Sequence, residues 1–244
     1  MVKTVFVIPT PKSYEEYIKS EPYNTLTSIS VEDSDYSYQI DIVSENKKGI
    51  SEIYNEKLKL YSQIDDISNV VFLHDDIEIH DRFILKKLKK AHEKYNVVGL
   101  AGATSQDYTS DNFTPAWHLS MQDRRDGRGF VSHTIPKDVG GYPFPYINSS
   151  YFGPSPSEVV FIDGLFISFD INIWKKNPIK FKEDYTFHHY DMSTSAELKK
   201  NGFSIGVWPI YVIHYGLGEF QNDPLWHKLA SKFKNEYKDY NISL

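Results

Sequence analysis

Short β-branched runs alternate with stretches of helical period through the N-terminal part of this chain, and that alternation limits its folds more than any other feature. Val5 to Ile8 is a compact apolar run closed by Pro9, as expected of a buried parallel strand. Tyr38 to Val43 alternates as a second strand, and Ile50, Ile53, Tyr54, Leu58 and Tyr61 then fall at helical spacing with Ser51 near the start. Val70 to Leu73 predicts a third strand, running into His74-Asp75-Asp76. A basic amphipathic helix follows, with Ile84, Leu88, Ala91 and Tyr95 on one face and Lys86, Lys87, Lys89 and Lys90 solvated. Val97 to Ala101 predicts a fourth strand. Strands and helices in this order imply an α/β protein with a doubly wound, mainly parallel sheet. Such sheets bind ligands at the carboxyl ends of their strands, which singles out His74-Asp75-Asp76.

The 244 residues fit one domain, 1–244, with a long loop insertion. A net charge of −6 argues against a nucleic-acid backbone as the main partner. The absence of cysteine excludes disulfides, thiolate metal sites and cysteine nucleophiles. The apolar run at the N-terminus is too short for a signal segment, and no stretch is long enough to span a bilayer. The expected location is therefore cytoplasmic.

Residues 104–157 break the pattern. Six prolines, several glycines and no sustained helical period indicate a long loop, and its aromatic residues, Trp117 among them, argue against disorder. The expectation is a lid and acceptor-side insertion. Val159 to Phe169 is apolar except at Asp163-Gly164, where an acid and a glycine predict a bend at a site. Asp191 opens a short helix, Ser193 to Lys200, stopped by Asn201-Gly202. Ser204 to Ile213 predicts a last strand leading to His214, and Leu225, Trp226, Leu229, Phe233 and Tyr237 predict a closing amphipathic helix.

Three motifs carry candidate chemistry. In Phe72-Leu73-His74-Asp75-Asp76, two carboxylates and an imidazole at a strand end can hold a divalent cation, Mg²⁺ through oxygen or Mn²⁺ with an imidazole. The competing explanation is helix capping. In His188-His189-Tyr190-Asp191, the carboxylate is a candidate base, or simply an N-cap with packing histidines around it. In Val212-Ile213-His214-Tyr215-Gly216, the histidine is a further metal ligand or a hydrogen-bonded structural residue.

In order and spacing, these pieces resemble the bacterial glycosyltransferase-like group related to family 2 glycosyltransferases, over most of the chain. The matching residues are Pro9-Thr10, Asn46, Ile50-Ser51, Tyr54-Asn55, then Phe72, His74 and Asp76. They continue with Val98, Gly99, Ala101 and Gly102, Ala116-Trp117, and Gly129, Val131 and His133. Asp163, Gly164 and Phe166, then Phe187, His188, Tyr190 and Asp191, and finally His214 and Gly218, complete the series. The sequence departs from the commoner Asp-x-Asp in having His74 at the first position.

The resemblance implies a GT-A fold (nucleotide-diphospho-sugar transferase) and a metal-assisted, inverting transfer of a sugar from a nucleotide-diphosphate donor to a glycan or other hydroxyl acceptor. It places Pro9, Thr10, Asn46 and Asn55 around the nucleoside. His74, Asp76 and His214 are expected at a Mn²⁺ or Mg²⁺ ion, with Asp75 at the donor diphosphate. Asp163 and Gly164 border the sugar, Asp191 is the base, and Trp117 and His188 lie on the acceptor side. Two other readings remain: a catalytically silent sugar or nucleotide binder, and a metal-dependent phosphohydrolase using His74, Asp75, Asp76, His188, His189 and His214.

Overall fold

The structure is a computed structural model that describes residues 1–31, 34–105, 126–141, 143–216, 222–238 and 244. Its centre is a seven-stranded sheet. The first three strands, β1 (Val2–Pro9), β2 (Tyr36–Val43) and β3 (Ile67–Leu73), pair in parallel with β1 in the middle. The remaining four are β5 (Val97–Gly99), β9 (Ser157–Val159), β11 (Phe166–Asp170) and β12 (Ile205–Val207), giving the order β2-β1-β3-β11-β5-β12-β9. β11 is antiparallel to both β3 and β5, and β9 is antiparallel to β12. The sheet is therefore mixed, with five strands running one way and two reversed.

The apolar runs are continuous because both faces of this sheet are covered. In β1, Val5 and Val7 pack on one side and Phe6 and Ile8 on the other; in β3, Val70 and Phe72 oppose Val71 and Leu73 in the same way. The first face is covered by α3 (Ile50–Ser62), α5 (Ile171–Lys176), α6 (Tyr190–Lys200) and α7 (Pro224–Tyr237). The helix expected from Ile50 onward forms, burying Ile53, Tyr54, Leu58 and Tyr61. The other face carries α4 (Ile84–His92) and two short helices, α1 (Tyr14–Tyr17) and α2 (Glu21–Thr27). Neither short helix is signalled by the sequence pattern. Lys87 is not simply solvated: it pairs with Asp81 and donates to the Pro209 carbonyl at 2.7 Å.

A second sheet runs β10-β6-β7-β13-β4, with β8 paired to β7. Its strands are β4 (Ile77–Ile79), β6 (Ala101–Ala103), β7 (Gly127–Ile135), β8 (Tyr146–Gly153), β10 (Phe161–Ile162) and β13 (Val212–His214). Two stretches expected as single strands are corrected here. Val97 to Ala101 divides at Leu100, where the chain leaves one sheet for the other, and Ser204 to Ile213 divides over Trp208 to Tyr211 for the same reason. The expected long loop, 104–157, is corrected in part as well. β7 and β8 form an antiparallel hairpin, and β7 sits inside the second sheet between β6 and β13. Trp117, Ala116 and Gly218 lie outside the described residues. Among the described residues no helix is long and apolar enough to cross a membrane.

Candidate metal and base site

The carboxyl ends of β1 and β3 open on one side of the main sheet. His74 follows β3 directly, Asp76 immediately precedes β4, and His214 is the last residue of β13. Strand ends from both sheets thus bring the three side chains together, with one potential ligand atom from each lying within 4.8 Å of the others. His214 Nε2 is 3.3 Å from Asp76 Oδ2, and the His74 and His214 rings are 6.3 Å apart. Asp76 Oδ1 and His214 Nδ1 are buried without a protein partner. Buried polar atoms ordinarily have one, so these two point to a missing ligand.

Asp76 and His214 form a close pair: burial lowers the His214 imidazole, but the hydrogen bond and charge of Asp76 outweigh it and raise the group, so a cation there would displace its proton. Burial raises the Asp76 carboxyl, but the His214 hydrogen bond and the charges of His214 and His74 outweigh it and hold the group below its ordinary value. Burial pulls the His74 imidazole down and favours its neutral, ligating form. One carboxylate with two imidazoles suits Mn²⁺ better than Mg²⁺, which prefers all-oxygen sets. Gly216 keeps the place open. A Cβ there would lie 2.8 Å from His214 Nε2 and 3.3 Å from Asp76 Oδ2.

Asp75, next in sequence, faces elsewhere. Its Oδ2 accepts from Thr10 Oγ1 at 2.6 Å and lies 3.5 Å from Lys12 Nζ. The Asn46 amide donates to the Thr10 carbonyl at 2.9 Å, so Pro9, Thr10, Asn46 and Asp75 gather at the β1 end beside the cation site. The Asn46 side chain itself closes a local turn onto Lys48. Asn55, expected at the nucleoside, is bonded within the protein. Its Nδ2 donates to the Phe181 carbonyl at 2.9 Å and its Oδ1 accepts from Phe181 N–H at 2.8 Å, so the amide is taken up in holding the 181–183 segment to α3.

The bend at Asp163-Gly164 exists and joins two parts of the site. Asp163 Oδ1 accepts from Leu165 N–H at 3.0 Å, which shapes the turn. Gly164 N–H donates to Asp191 Oδ2 at 3.0 Å, and Met192 N–H donates to Asp191 Oδ1 at 2.8 Å. Asp191 is in the first turn of α6 rather than at its cap. The cap position is His189, in a left-handed conformation with φ 56° and no side-chain cap bond. Burial, followed by the charge of Asp163, lifts the Asp191 carboxyl to about 7, although three backbone hydrogen-bond contributions oppose the rise. A carboxyl with that affinity is suited to taking a proton near neutral pH.

His188 and His189 are engaged elsewhere. His188 Nε2 lies 2.9 Å from Asp223 Oδ2, the N-cap of α7, and the His189 ring packs 4.7 Å from Trp226. The six-residue phosphohydrolase cluster therefore does not assemble. Two residues of the matched motifs, without a role assigned from sequence, stand at the site. Tyr190 Oη is 2.7 Å from His74 Nε2, and the His133 ring stands 5.4 Å from that of His214 on the adjacent strand. The signal for His133 is its place opposite His214, which depends on knowing that β7 and β13 pair.

A family model described as "Glycosyltransferase like family" matches residues 12–244. No curated protein matches the chain. Among solved structures, "Crystal Structure of A197 from STIV" is similar at 14% identity over 88% of this chain and 86% of that one, with a TM-score of 0.49, a level that carries no argument.

Proposed function

This chain belongs to the glycosyltransferase-like family, and from that premise we propose that it moves a sugar from a nucleotide-diphosphate donor to a hydroxyl acceptor with inversion. The observation that carries the proposal is the junction at Gly164. This residue binds the lifted Asp191 carboxylate through its N–H and is linked through its carbonyl and Tyr190 to His74 of the cation cluster. A base and a candidate diphosphate site thereby share one turn.

In this reading Pro9, Thr10, Asn46 and Asp75 border the nucleoside and diphosphate, while Asp163 and Gly164 border the sugar. His74, Asp76 and His214 would hold Mn²⁺ or Mg²⁺, and the cation supplies positive charge against the leaving diphosphate. Asp191 accepts the proton of the acceptor hydroxyl as that oxygen bonds the anomeric carbon and the bond to the diphosphate breaks. Its two backbone donors fix the carboxylate before substrate arrives, so its orientation does not have to be set during the reaction. Trp117 and His188 remain assigned to the acceptor side.

The test is thermal stabilisation by a panel of nucleoside diphosphates with and without Mn²⁺, since a ligand of the native state raises its apparent stability. The expected result is a rise for one base that requires the metal. A panel in which no nucleotide shifts the transition would remove the donor assignment.

A further inference from the structure

Tyr190 has no part in the proton transfer or in the cation cluster, yet it touches one side of each. Its Oη lies 2.9 Å from the Gly164 carbonyl and 2.7 Å from His74 Nε2. A phenol has one proton and a carbonyl can only accept. The proton therefore goes to Gly164, and His74 Nε2 must be the donor in the second bond. That leaves the lone pair of a neutral His74 on Nδ1. Nε2 is taken up by this bond, so Nδ1 is the nitrogen left to ligate if His74 serves the cluster with Asp76 and His214.

The surroundings hold Tyr190 in place. Its ring is buried between Tyr54, at 5.9 Å, and Phe181, at 6.3 Å, and it opens α6 directly before Asp191. Gly164 is fitted to the phenol, since a Cβ there would come within 2.2 Å of Tyr190 Oη. Metal-bound histidines generally have the second nitrogen held by a carboxylate, carbonyl or water, which sets tautomer and ring orientation. Here a buried tyrosine occupies that place and passes the constraint to a main-chain carbonyl.

We infer that Tyr190 is a positioning residue that fixes His74 as the Nε2–H tautomer, presenting Nδ1 to the divalent cation. The inference rests on the cation-site reading of His74, Asp76 and His214. It adds that the histidine replacing the usual first acid works as a ligand only with its phenol behind it. It also accounts for Gly164 in two ways, since the same residue orients Tyr190 through its carbonyl and binds Asp191 through its N–H.

Two measurements on the full chain test this. The first is the ¹⁵N and ¹³C NMR signature of His74 in the metal-free parent at pH 8, assigned by its loss in His74→Gln. The second is calorimetric Mn²⁺ affinity in the parent and in Tyr190→Phe, which keeps the ring and its packing. The expected results are an Nε2–H tautomer in the parent, its loss or mixing in Tyr190→Phe, and Mn²⁺ binding weakened by about 10–100-fold. An Nδ1–H tautomer in the parent overturns the inference without recourse to any variant. Mn²⁺ affinity within twofold of the parent in a folded Tyr190→Phe overturns it while leaving the cation site standing. A parent that binds no Mn²⁺ overturns the cation site, and the inference with it.

Discussion

Replacing Asp191 by Asn should make the metal-free protein more stable at pH 8 while nearly abolishing transfer. The unfolded carboxyl ionises near 3.8 and the folded one near 7. Between those values the folded chain holds a proton that the unfolded chain has released, so stability falls as pH rises, and the loss is complete above about 7. The difference between 3.8 and about 7 corresponds to about 4 kcal/mol at pH 8. Asn removes that penalty but forfeits one of the two backbone donors, Gly164 N–H or Met192 N–H, because it has a single acceptor oxygen. That loss costs about 1–2 kcal/mol. The net gain is about 2–3 kcal/mol at pH 8, or about 5–10 °C in Tm for a chain of this size. Near pH 5 the two proteins should converge. The assay is a pair of thermal melts in chelator at each pH, with transfer measured in parallel once donor and acceptor are identified. Transfer should fall by about 10²–10⁴-fold. A Tm difference that is the same at pH 5 and pH 8 would refute the strained-carboxylate argument. A transfer rate within a few-fold of the parent would reduce Asp191 to a residue that organises its helix.

Asp76→Asn should retain the fold and lose most Mn²⁺-dependent affinity for the nucleoside diphosphate; equal calorimetric affinities in mutant and parent would contradict this. Gly216→Ala should weaken Mn²⁺ binding at least tenfold with little change in metal-free Tm, because its Cβ would stand 2.8 Å from His214 Nε2. Asn55→Ala should lower stability by about 2 kcal/mol by stripping the Phe181 N–H and carbonyl of their partner, and should leave nucleotide affinity unchanged in calorimetry. A large loss of nucleotide affinity in a folded Asn55→Ala would instead place that residue in the nucleoside set.

The parts of the fold visible in the sequence were those governed by local pattern. Val5 to Ile8, Val70 to Leu73 and the Ile53-Tyr54-Leu58-Tyr61 face each state their environment within a few residues. Asn201-Gly202 ends α6 where expected, with Gly202 at φ 77°. Strand direction has no such local mark, so the reversed strand β11 between β3 and β5 was not foreseen. The splits at Leu100 and at Trp208 to Tyr211 were also hidden, because an apolar run looks the same whether it stays in one sheet or changes to another. At the site, His74 and Asp76 stood out as neighbours at a strand end, and His214 by its own strand end. Tyr190 did not, since its partner His74 is 116 residues away and a buried tyrosine after two histidines looks like packing. Asn55 shows another limit of local pattern: a motif match suggested a ligand contact, and the bond its amide makes to Phe181, 126 residues away, has no local mark.

The stitching of the two sheets also sets where this architecture tolerates changes in chain length. The chain passes between sheets several times, and the passage from Leu73 to Ile77 carries His74 and Asp76. One inserted residue in extended chain displaces the downstream residues by about 3.3 Å. An insertion within 74–76 would therefore separate ligands that now lie within 4.8 Å of one another. The connection from β7 to β8 is under no such restriction. Its described residues include Asp138, Gly140 and Gly141 at positive φ, and a Cβ added at Gly141 meets nothing within 4 Å. The cluster of His74, Asp76 and His214 is tied to a seam of fixed length, while the hairpin beyond Ile135 can be lengthened or exchanged without displacing it.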